Sequence, residues 1–321
     1  MNYPELKKKI LESLQKRDLL GIDWGHCGAK LVRVTGQNHQ KKVASWYYPE
    51  PLQEGDAASV MKFKRFLQAH QLTGLKTACN IEHGSLKIRR LDLPKMPEFD
   101  LGEAIQWQLR DVIEDPVQNY IVRHSLIEEY SLNEGVKQSL VVYAIHRAAV
   151  LEKAQFLKKL SLKPVSIEPN AVALLSALDH SQPWEKGVFC GVLDLGFEYS
   201  GFYVMKEGRL YFSRPMAEIH GKELRSFMTQ ELNLSDEDLS LLEKRIWGQD
   251  ALQENDLEKI RTVYPRFFSK IAIEAQRSMD AFSLVFKGCR VDRLYLSGGG
   301  AAWPGLNENL TKNLGMPVAV V

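Results

Sequence analysis

Two aspartates each stand two residues before a glycine at the end of an apolar run: Asp23 before Gly25, and Asp194 before Gly196. The glycine allows a tight backbone turn, so that N–H groups can face a phosphate. A carboxylate at this place can hold Mg²⁺, because Mg²⁺ takes one or two carboxylates together with phosphate oxygens and water. Two such turns facing each other would clamp a triphosphate, so the motifs predict a Mg²⁺–nucleotide site that includes both aspartates.

A third glycine-rich segment strengthens this prediction. Gly298, Gly299 and Gly300 follow the apolar run 291–296 and would let a flat adenosine lie against the backbone. A lone Asp-x-Gly is more often an ordinary hairpin, and it is the order of the three motifs, each after an apolar strand, that favours a nucleotide site. For Lys30 two interpretations stay open, a phosphate contact and a solvated strand lysine.

The elements around these motifs follow a repeated plan. Apolar runs at 19–23 and 29–34 flank a glycine turn and predict a β-hairpin, with 43–48 as a third strand. The same strand–turn–strand–turn–strand plan recurs after residue 187. Between and after the two copies, helical periodicity predicts several helices, the longest at 257–286. The sequence therefore predicts an α/β protein with two similar lobes.

Composition excludes several classes of protein. The 321 residues carry 42 Lys+Arg against 40 Asp+Glu, a net charge of +2 that gives no signature of nucleic-acid binding. The four cysteines form no CxxC pair, which favours reduced thiols over disulfides and gives no zinc spacing. The longest apolar runs are far short of the roughly 20 residues that span a bilayer. Segment 1–18 is basic with a helical stripe, and we expect a frayed or simply docked N-terminal helix rather than a membrane-surface or partner-docking helix.

The three motifs resemble those of the actin-like nucleotide-binding superfamily. Asp23 matches the aspartate of its first phosphate motif, and Lys30 falls where that motif often carries a phosphate-contacting lysine. Asp194 and Gly196 match the second phosphate motif, and glycines 298–300 match the adenosine motif. Within the superfamily the chain is most similar to the PilM family of type IV pilus assembly proteins. That likeness is carried by the linking segment 168–174, helix 273–280 and the C-terminal signature 296–318.

The resemblance implies an actin-like two-lobed fold, made of duplicated ribonuclease H-like domains with an inserted small subdomain. It divides the chain into a terminal segment 1–18, a first lobe 19–186 and a second lobe 187–321. The first lobe would carry the inserted subdomain at about 85–147, and the second an insertion at about 214–256.

The resemblance also implies a site for ATP and Mg²⁺. Glu168, in the linking segment, would face the nucleotide and is the one candidate catalytic residue. Glu274 and Arg277 lie three apart on one helix face. In related proteins such a pair embraces the adenosine, and a plain surface ion pair is the equal alternative.

A partner is implied as well. Members of this family dock the cytoplasmic tail of PilN, an inner-membrane protein, beside the inserted subdomain, and thereby join the membrane complex to the pilus motor ATPase. Our candidate contacts near this groove are Arg89, Arg90, Ile105, Trp107 and Leu109, with core packing as the favoured alternative for Trp107. The chain would then be cytoplasmic and would meet the inner membrane only through partners. Type II secretion and DNA-uptake pili use related proteins and are alternative settings.

The phosphate turns depart from the family pattern. Family members usually place Ser and Thr there, whereas this chain has His26 and Cys27 in the first turn and Phe197 and Glu198 in the second. Hydroxyls suit phosphate oxygens and metal-bound water, so we expect weak or absent ATPase activity. A small-molecule kinase would need a carboxylate base for its acceptor, and no convincing motif for one is present. A bacterial actin-like filament protein is the remaining alternative.

Overall fold

The computed structural model describes residues 18–37, 40–52, 55–132, 135–181, 184–247 and 253–321. The chain divides into two compact units. The first runs to His180 and includes Arg209–Phe212, and the second contains the other residues from Ser181 onward. Of the basic segment 1–18, only Asp18 is among the described residues.

The elements of the first unit alternate between strands and helices. They are, in chain order, β1 (Leu19–Gly25), β2 (Gly28–Gln37), β3 (Gln40–Tyr48), α1 (Ala57–Ala69), β4 (Lys76–Asn80), β5 (Lys87–Pro94), α2 (Glu98–Leu109), β6 (Tyr120–Leu132), β7 (Gly135–His146), α3 (Arg147–Lys159), β8 (Lys163–Glu168) and α4 (Asn170–Ser181). Five of the strands form a sheet in the order β3-β2-β1-β4-β8. The first three make the predicted antiparallel meander, and β1, β4 and β8 run parallel.

Alternation along β1 places the core of this sheet. Leu20 and Ile22 are buried on one face together with Phe63 and Leu67 of α1 and with Phe156 of α3. Successive strand residues point to opposite faces, so Asp23 is directed to the other face from Leu20 and Ile22. Both helices therefore cover the same face of the sheet.

The inserted subdomain has its own small sheet, in the order β5-β7-β6. Helix α2 packs on it through Leu101, Ile105 and Leu109, which recur four apart and so share one helix face. These side chains meet Leu140 and Val142 of the central strand β7. The subdomain thus has a separate hydrophobic core within the first unit.

The second unit repeats the plan. The elements of its sheet and the helices around it are, in chain order, β9 (Cys190–Leu195), β10 (Ser200–Lys206), β11 (Arg209–Pro215), α5 (Gly221–Leu232), α6 (Asp236–Trp247), α7 (Glu254–Val285), β12 (Arg293–Ser297), α8 (Leu306–Leu314) and β13 (Val318–Val320). Of β11, the residues Arg209–Phe212 are counted with the first unit. The sheet order is β11-β10-β9-β12-β13, and β9 and β12 run parallel. Every residue of β9 is buried, as expected for a central strand covered on both faces. A short 3₁₀ turn, Gly299–Ala302, follows β12.

Within the described ranges, no helix combines the length and the apolar character needed to cross a membrane.

Candidate nucleotide site and partner surface

In the first unit, three polar residues stand at the carboxyl ends of neighbouring parallel strands. Asp23 lies near the end of β1, Asn80 ends β4 and Glu168 ends β8. The carboxyl ends of parallel strands meet at one edge of a sheet, which is where open α/β sheets bind their ligands. The strand order therefore gathers these side chains at the edge suited to a ligand.

Both carboxylate oxygens of Asp23 have a donor. Lys30 Nζ lies 3.2 Å from Oδ2, and Asn80 Nδ2 donates to Oδ1 over 3.0 Å. Lys30 is paired with Asp23 by strand register, because the two residues face each other across β1 and β2. The Asp23–Lys30 pair is exposed, so Lys30 can exchange this partner for a phosphate at small cost. Its predicted phosphate contact stays a prediction.

Asn80 organises this edge, and the motif analysis missed it. Its Oδ1 accepts from Trp24 N over 2.9 Å, while Nδ2 reaches Asp23 and also Asn170 Oδ1 at 3.0 Å. One amide thus ties β4 to β1 and to the start of α4. The available signal was a polar residue near the end of the predicted strand 77–81.

Glu168, the candidate catalytic residue, makes local contacts. Its Oε1 accepts from Ser166 Oγ over 2.8 Å, and its carbonyl accepts from Ile81 N. A second carboxylate, that of Glu82, accepts from Asn170 N over 2.9 Å at the first residue of α4. Anionic groups are favoured there because the N-terminal end of a helix is positive. Glu82 therefore stabilises α4, and the catalytic role of Glu168 stays a prediction.

In the second unit, the second and third glycine motifs are in direct contact. Asp194 is 7% exposed and lies beside Ser297 in the parallel pairing of β9 and β12. Gly298 follows with φ +79°, and a Cβ placed there would come within 2.7 Å of Asp194 Oδ1 and 2.5 Å of the Leu195 carbonyl oxygen. Only glycine fits this approach. The fold thus brings the predicted metal aspartate and the predicted adenosine turn together.

In the turn after Asp194, the Gly196 N–H forms a hydrogen bond within the turn itself. Gly196 N donates to the Tyr199 carbonyl over 3.1 Å, and Gly196 O accepts from Gly221 N at the start of α5 over 2.9 Å. In this structure the Gly196 N–H is therefore directed at Tyr199, not at the phosphate that the sequence motif suggests. The reason is the short link between β9 and β10, which closes the turn on itself.

In the first turn, that of the β1–β2 hairpin, the two glycines differ in how strongly the backbone requires them. Gly25 and Gly28 face each other at the end of the β1–β2 hairpin. It is Gly28 that has φ +150°, and a Cβ there would lie 2.2 Å from the Tyr48 carbonyl oxygen. At Gly25 the nearest atom would be 3.4 Å away. Gly28, rather than Gly25 of the Asp-x-Gly motif, is the residue that the local geometry requires.

Glu274 is shared by two arginines. Arg277 Nη1 lies 2.5 Å from Oε1, and Arg214 Nη2 lies 3.1 Å from Oε2. Arg214 of β11 also donates to Ser278 Oγ over 2.8 Å, so it links the sheet to α7. The pair that could embrace an adenosine is thus part of a three-residue network, and its role toward a nucleotide stays a prediction.

The residues present fit the adenosine end of a nucleotide better than its phosphate and metal end. Gly299 has no atom within 4 Å of an added Cβ, so the adenosine turn offers open space. The described residues contain no group of three or more His, Cys, Asp or Glu able to hold a metal. Asp23 and Asp194 would each supply one carboxylate, which fits Mg²⁺ only where phosphates and water complete its shell.

The five candidate partner contacts fall in different environments. Ile105 and Leu109 are each 1% exposed and form part of the subdomain core, because they lie on the inner face of α2. Arg90 donates to Ser139 Oγ and pairs with Asp92. Trp107 is 63% exposed, with the Arg110 guanidinium 4.3 Å from its ring centroid, so the favoured expectation of core packing was wrong. Arg89 is exposed.

An open cavity of about 450 Å³ lies on the same subdomain. Its walls come from α2, from the start of β6 and from the start of α3. The lining residues used below are Gln106, Tyr120, Ile121, Val122, Arg123 and Arg147.

Two guanidinium groups mark the edge strand beside this cavity. Arg123 Nη1 donates to the Val122 carbonyl over 2.8 Å, and Arg147 Nη2 donates to the Tyr120 carbonyl over 3.4 Å. β6 is an edge strand of its sheet. The Tyr120 and Val122 carbonyls each accept a hydrogen bond from an arginine that lines the cavity, so a donor beside the cavity can reach both of them.

Comparisons with known proteins agree with this architecture. Residues 21–321 match the family model of the type IV pilus assembly protein PilM. The fold is similar to that of a solved PilM-PilN type IV pilus biogenesis complex, with a TM-score of 0.73 and 23% identity over 94% of this chain and 88% of that chain. It is also similar to the ethanolamine utilization protein EutJ from Carboxydothermus hydrogenoformans, with a TM-score of 0.52 and 14% identity over 100% of this chain and 94% of that chain. No curated protein matches the sequence. The chain belongs to the PilM family of type IV pilus assembly proteins and has an actin-like fold.

Proposed function

We propose that this chain is a cytoplasmic adaptor that docks the tail of a PilN-like inner-membrane protein on its inserted subdomain. The proposal rests on the open cavity at the edge of β6. Family membership and the similarity to a PilM-PilN complex support the same partner. Through this contact the adaptor would connect the membrane complex to the motor ATPase of the pilus.

The edge of β6 suits an extended peptide. A peptide can add to a sheet edge through main-chain hydrogen bonds, while pockets read its side chains. The Tyr120 and Val122 carbonyls are available for this once Arg147 and Arg123 release them. The two guanidinium groups would then pair with carboxylates of the tail, which they hold in bidentate geometry.

Peptide binding tests this proposal directly. We would measure fluorescence anisotropy with a labelled peptide of a PilN cytoplasmic tail, on the full-length protein. Arg123→Ala and Arg147→Ala should each raise Kd about tenfold, because each removes a charge-assisted hydrogen bond. Arg290→Ala, an exposed arginine of the second unit, is the matched control. Equal Kd in all variants, or no binding to the wild type, would refute docking at this cavity.

The same assay can test which machine the chain serves: a type IV pilus, a type II secretion system or a DNA-uptake pilus. The corresponding tail peptides from a type II secretion protein and from a DNA-uptake pilus serve as competing ligands. We expect the type IV pilus tail to bind tightest. Tighter binding of another tail would assign the chain to that other machine and would leave the proposed docking surface unchanged.

We infer that the chain also binds Mg-ATP with little or no turnover. Glycines 298–300 would lie against the adenosine, Lys30 would contact a phosphate, and Asp23 and Asp194 would approach the metal. Turnover is disfavoured because the Gly196 amide is occupied by Tyr199.

Calorimetry with Mg-ATP tests this inference. We would compare the wild type with Asp194→Ala and with Asp100→Ala, an exposed aspartate of α2. Binding that Asp194→Ala alone abolishes would support the site. An unchanged Kd in Asp194→Ala would contradict it, and absence of binding at millimolar ATP would make the protein a scaffold without nucleotide.

A further inference from the structure

Positive charge is segregated in two stretches of the first unit. Residues 57–81 contain four Lys or Arg, and residues 153–167 contain four Lys, yet neither stretch contains an Asp or Glu. Together they hold eight of the 42 basic residues and none of the 40 acidic ones. The near-neutral net charge of the chain therefore hides a strongly basic region.

The fold places these two stretches side by side. The first forms α1 and β4, and the second forms most of α3 and the start of β8. Both helices pack on the same face of the sheet, and the Trp24 ring contacts Phe63 of α1 at 5.4 Å and Phe156 of α3 at 5.6 Å between centroids. The outer sides of α1 and α3 thus form one two-helix surface.

The outer stripes of both helices each carry one basic residue, one glutamine and one exposed apolar residue. Residues three, four and seven apart share one helix face, and the stripes face away from the buried Phe63 and Phe156. Met61 is 53% exposed and Leu151 is 52% exposed. The stripes, which we call the basic face, consist of Met61, Arg65 and Gln68 on α1 and of Leu151, Gln155 and Lys158 on α3.

The basic face continues to the amino ends of two strands. Lys76 and Lys163 are direct neighbours in the parallel pairing of β4 and β8. Lys163 N donates to the Leu75 carbonyl, so the loops before the two strands are joined. Like charges set side by side destabilise a sheet. The repulsion between the two lysines becomes weaker when a polyanion lies against them.

We propose that the basic face binds the anionic surface of a lipid bilayer. Lysines and arginines gain affinity from each anionic headgroup they approach. Exposed apolar side chains on the same face insert into the headgroup boundary. Met61 and Leu151 favour a bilayer over nucleic acid, because a nucleic-acid backbone gains little from apolar side chains. Two carboxylates border the face: Glu152 of α3, three residues before Gln155, and Glu50, which pairs with Lys62 over 3.0 Å.

The location agrees with the proposed tail docking but does not depend on it. Arg147 at the start of α3 lines the docking cavity, and Lys158 stands near its end. A helix of 13 residues is about 20 Å long at 1.5 Å per residue. A membrane-anchored tail bound at one end of α3 would leave the other end close to the bilayer.

Vesicle binding tests the proposal on the full-length protein without any partner. We would measure co-sedimentation with phosphatidylglycerol–phosphatidylcholine vesicles, with pure phosphatidylcholine vesicles for comparison. The test variant carries Arg65→Gln, Lys158→Gln, Lys159→Gln and Lys163→Gln. The control variant carries the same change of charge in the second unit, as Lys222→Gln, Lys287→Gln, Arg290→Gln and Lys312→Gln; all eight positions are exposed.

The expected results are specific. The test variant should bind anionic vesicles at least about tenfold more weakly, since each basic residue near such a surface contributes, while the control changes little. Salt at about 1 M should remove most binding, because screening shortens to roughly 3 Å. Met61→Ser with Leu151→Ser should weaken binding further at low salt.

Three outcomes would overturn the proposal. The first is no preference of the wild type for anionic over zwitterionic vesicles, and the second is equal loss in both charge variants. The third is binding to duplex DNA or polyglutamate, but not to vesicles, with the same dependence on the four residues. Circular dichroism spectra of the variants would show that the loss does not come from unfolding.

Discussion

Replacing Gly298 with alanine tests how the second unit joins its two glycine motifs. Gly298 has φ +79° and ψ 175°, a region that is essentially restricted to glycine and costs other residues about 1–3 kcal/mol. The new Cβ would also lie 2.5 Å from the Leu195 carbonyl oxygen and 2.7 Å from Asp194 Oδ1. Relieving that overlap means moving the backbone of β9, for which overpacking data indicate about 1–3 kcal/mol more.

The expected loss of unfolding free energy is therefore roughly 2–6 kcal/mol, from strain and overlap together. For a protein of this size it corresponds to a Tm lower by roughly 3–9 °C, which scanning calorimetry can measure. Gly299→Ala is the neighbouring control, because no atom lies within 4 Å of its added Cβ. We expect it to change stability by less than about 0.5 kcal/mol.

The same pair separates stability from ligand binding. In Gly299→Ala the methyl group enters the open space of the adenosine turn, so the affinity for Mg-ATP should fall while Tm stays constant. An equal Tm for Gly298→Ala and the wild type would refute the described contact with Asp194. An equal fall in both variants would show that general flexibility of the turn, not the local geometry, sets stability.

Three further changes test other parts of the structure. Asn80→Ala removes the amide that joins Asp23 to the start of α4, and urea unfolding should show a loss of about 1–3 kcal/mol; no loss would mean that water replaces the amide. Arg214→Ala should lower Tm by several degrees because it leaves the network of Glu274 incomplete, whereas an unchanged Tm would contradict a structural role. Burial raises the pKa of Tyr143 to about 12 from 10.0, so its stabilising effect is complete below pH 10 and is lost as pH rises toward 12. Tyr143→Phe should reduce the fall in urea stability between pH 9 and pH 11, and an unchanged slope would contradict this assignment.

Sequence patterns predicted the elements of the fold well because these patterns are local. The β1–β2 hairpin, the strand at 188–195 and the long helix are present, the helix as Glu254–Val285 against a prediction of 257–286. Alternation and helical periodicity depend on a few neighbouring residues, so one sequence suffices to find them. The order of the strands in each sheet was not predicted from these local patterns.

The contacts of the site were less predictable because they join distant parts of the chain. Asn80 and Asp23 are 57 residues apart, and Arg214 and Glu274 are 60 apart. No local pattern marks which polar residue at a strand end will meet which aspartate. The faces of α2 show the same limit, since periodicity identified its apolar residues but did not show that Trp107 is exposed.

Helix α3 connects the two surfaces proposed for this protein, and their combination has an energetic consequence. A tail that is anchored in the bilayer and bound at the Arg147 end of α3 holds the basic face near the membrane, so the second contact becomes intramolecular. Effective concentration then replaces bulk concentration, and the joint affinity can exceed either single affinity by about 10²–10⁴. Neither surface needs to bind tightly alone. Weak binding of the free protein to vesicles, made strong by an anchored tail, would keep the adaptor at the membrane only where its partner is assembled.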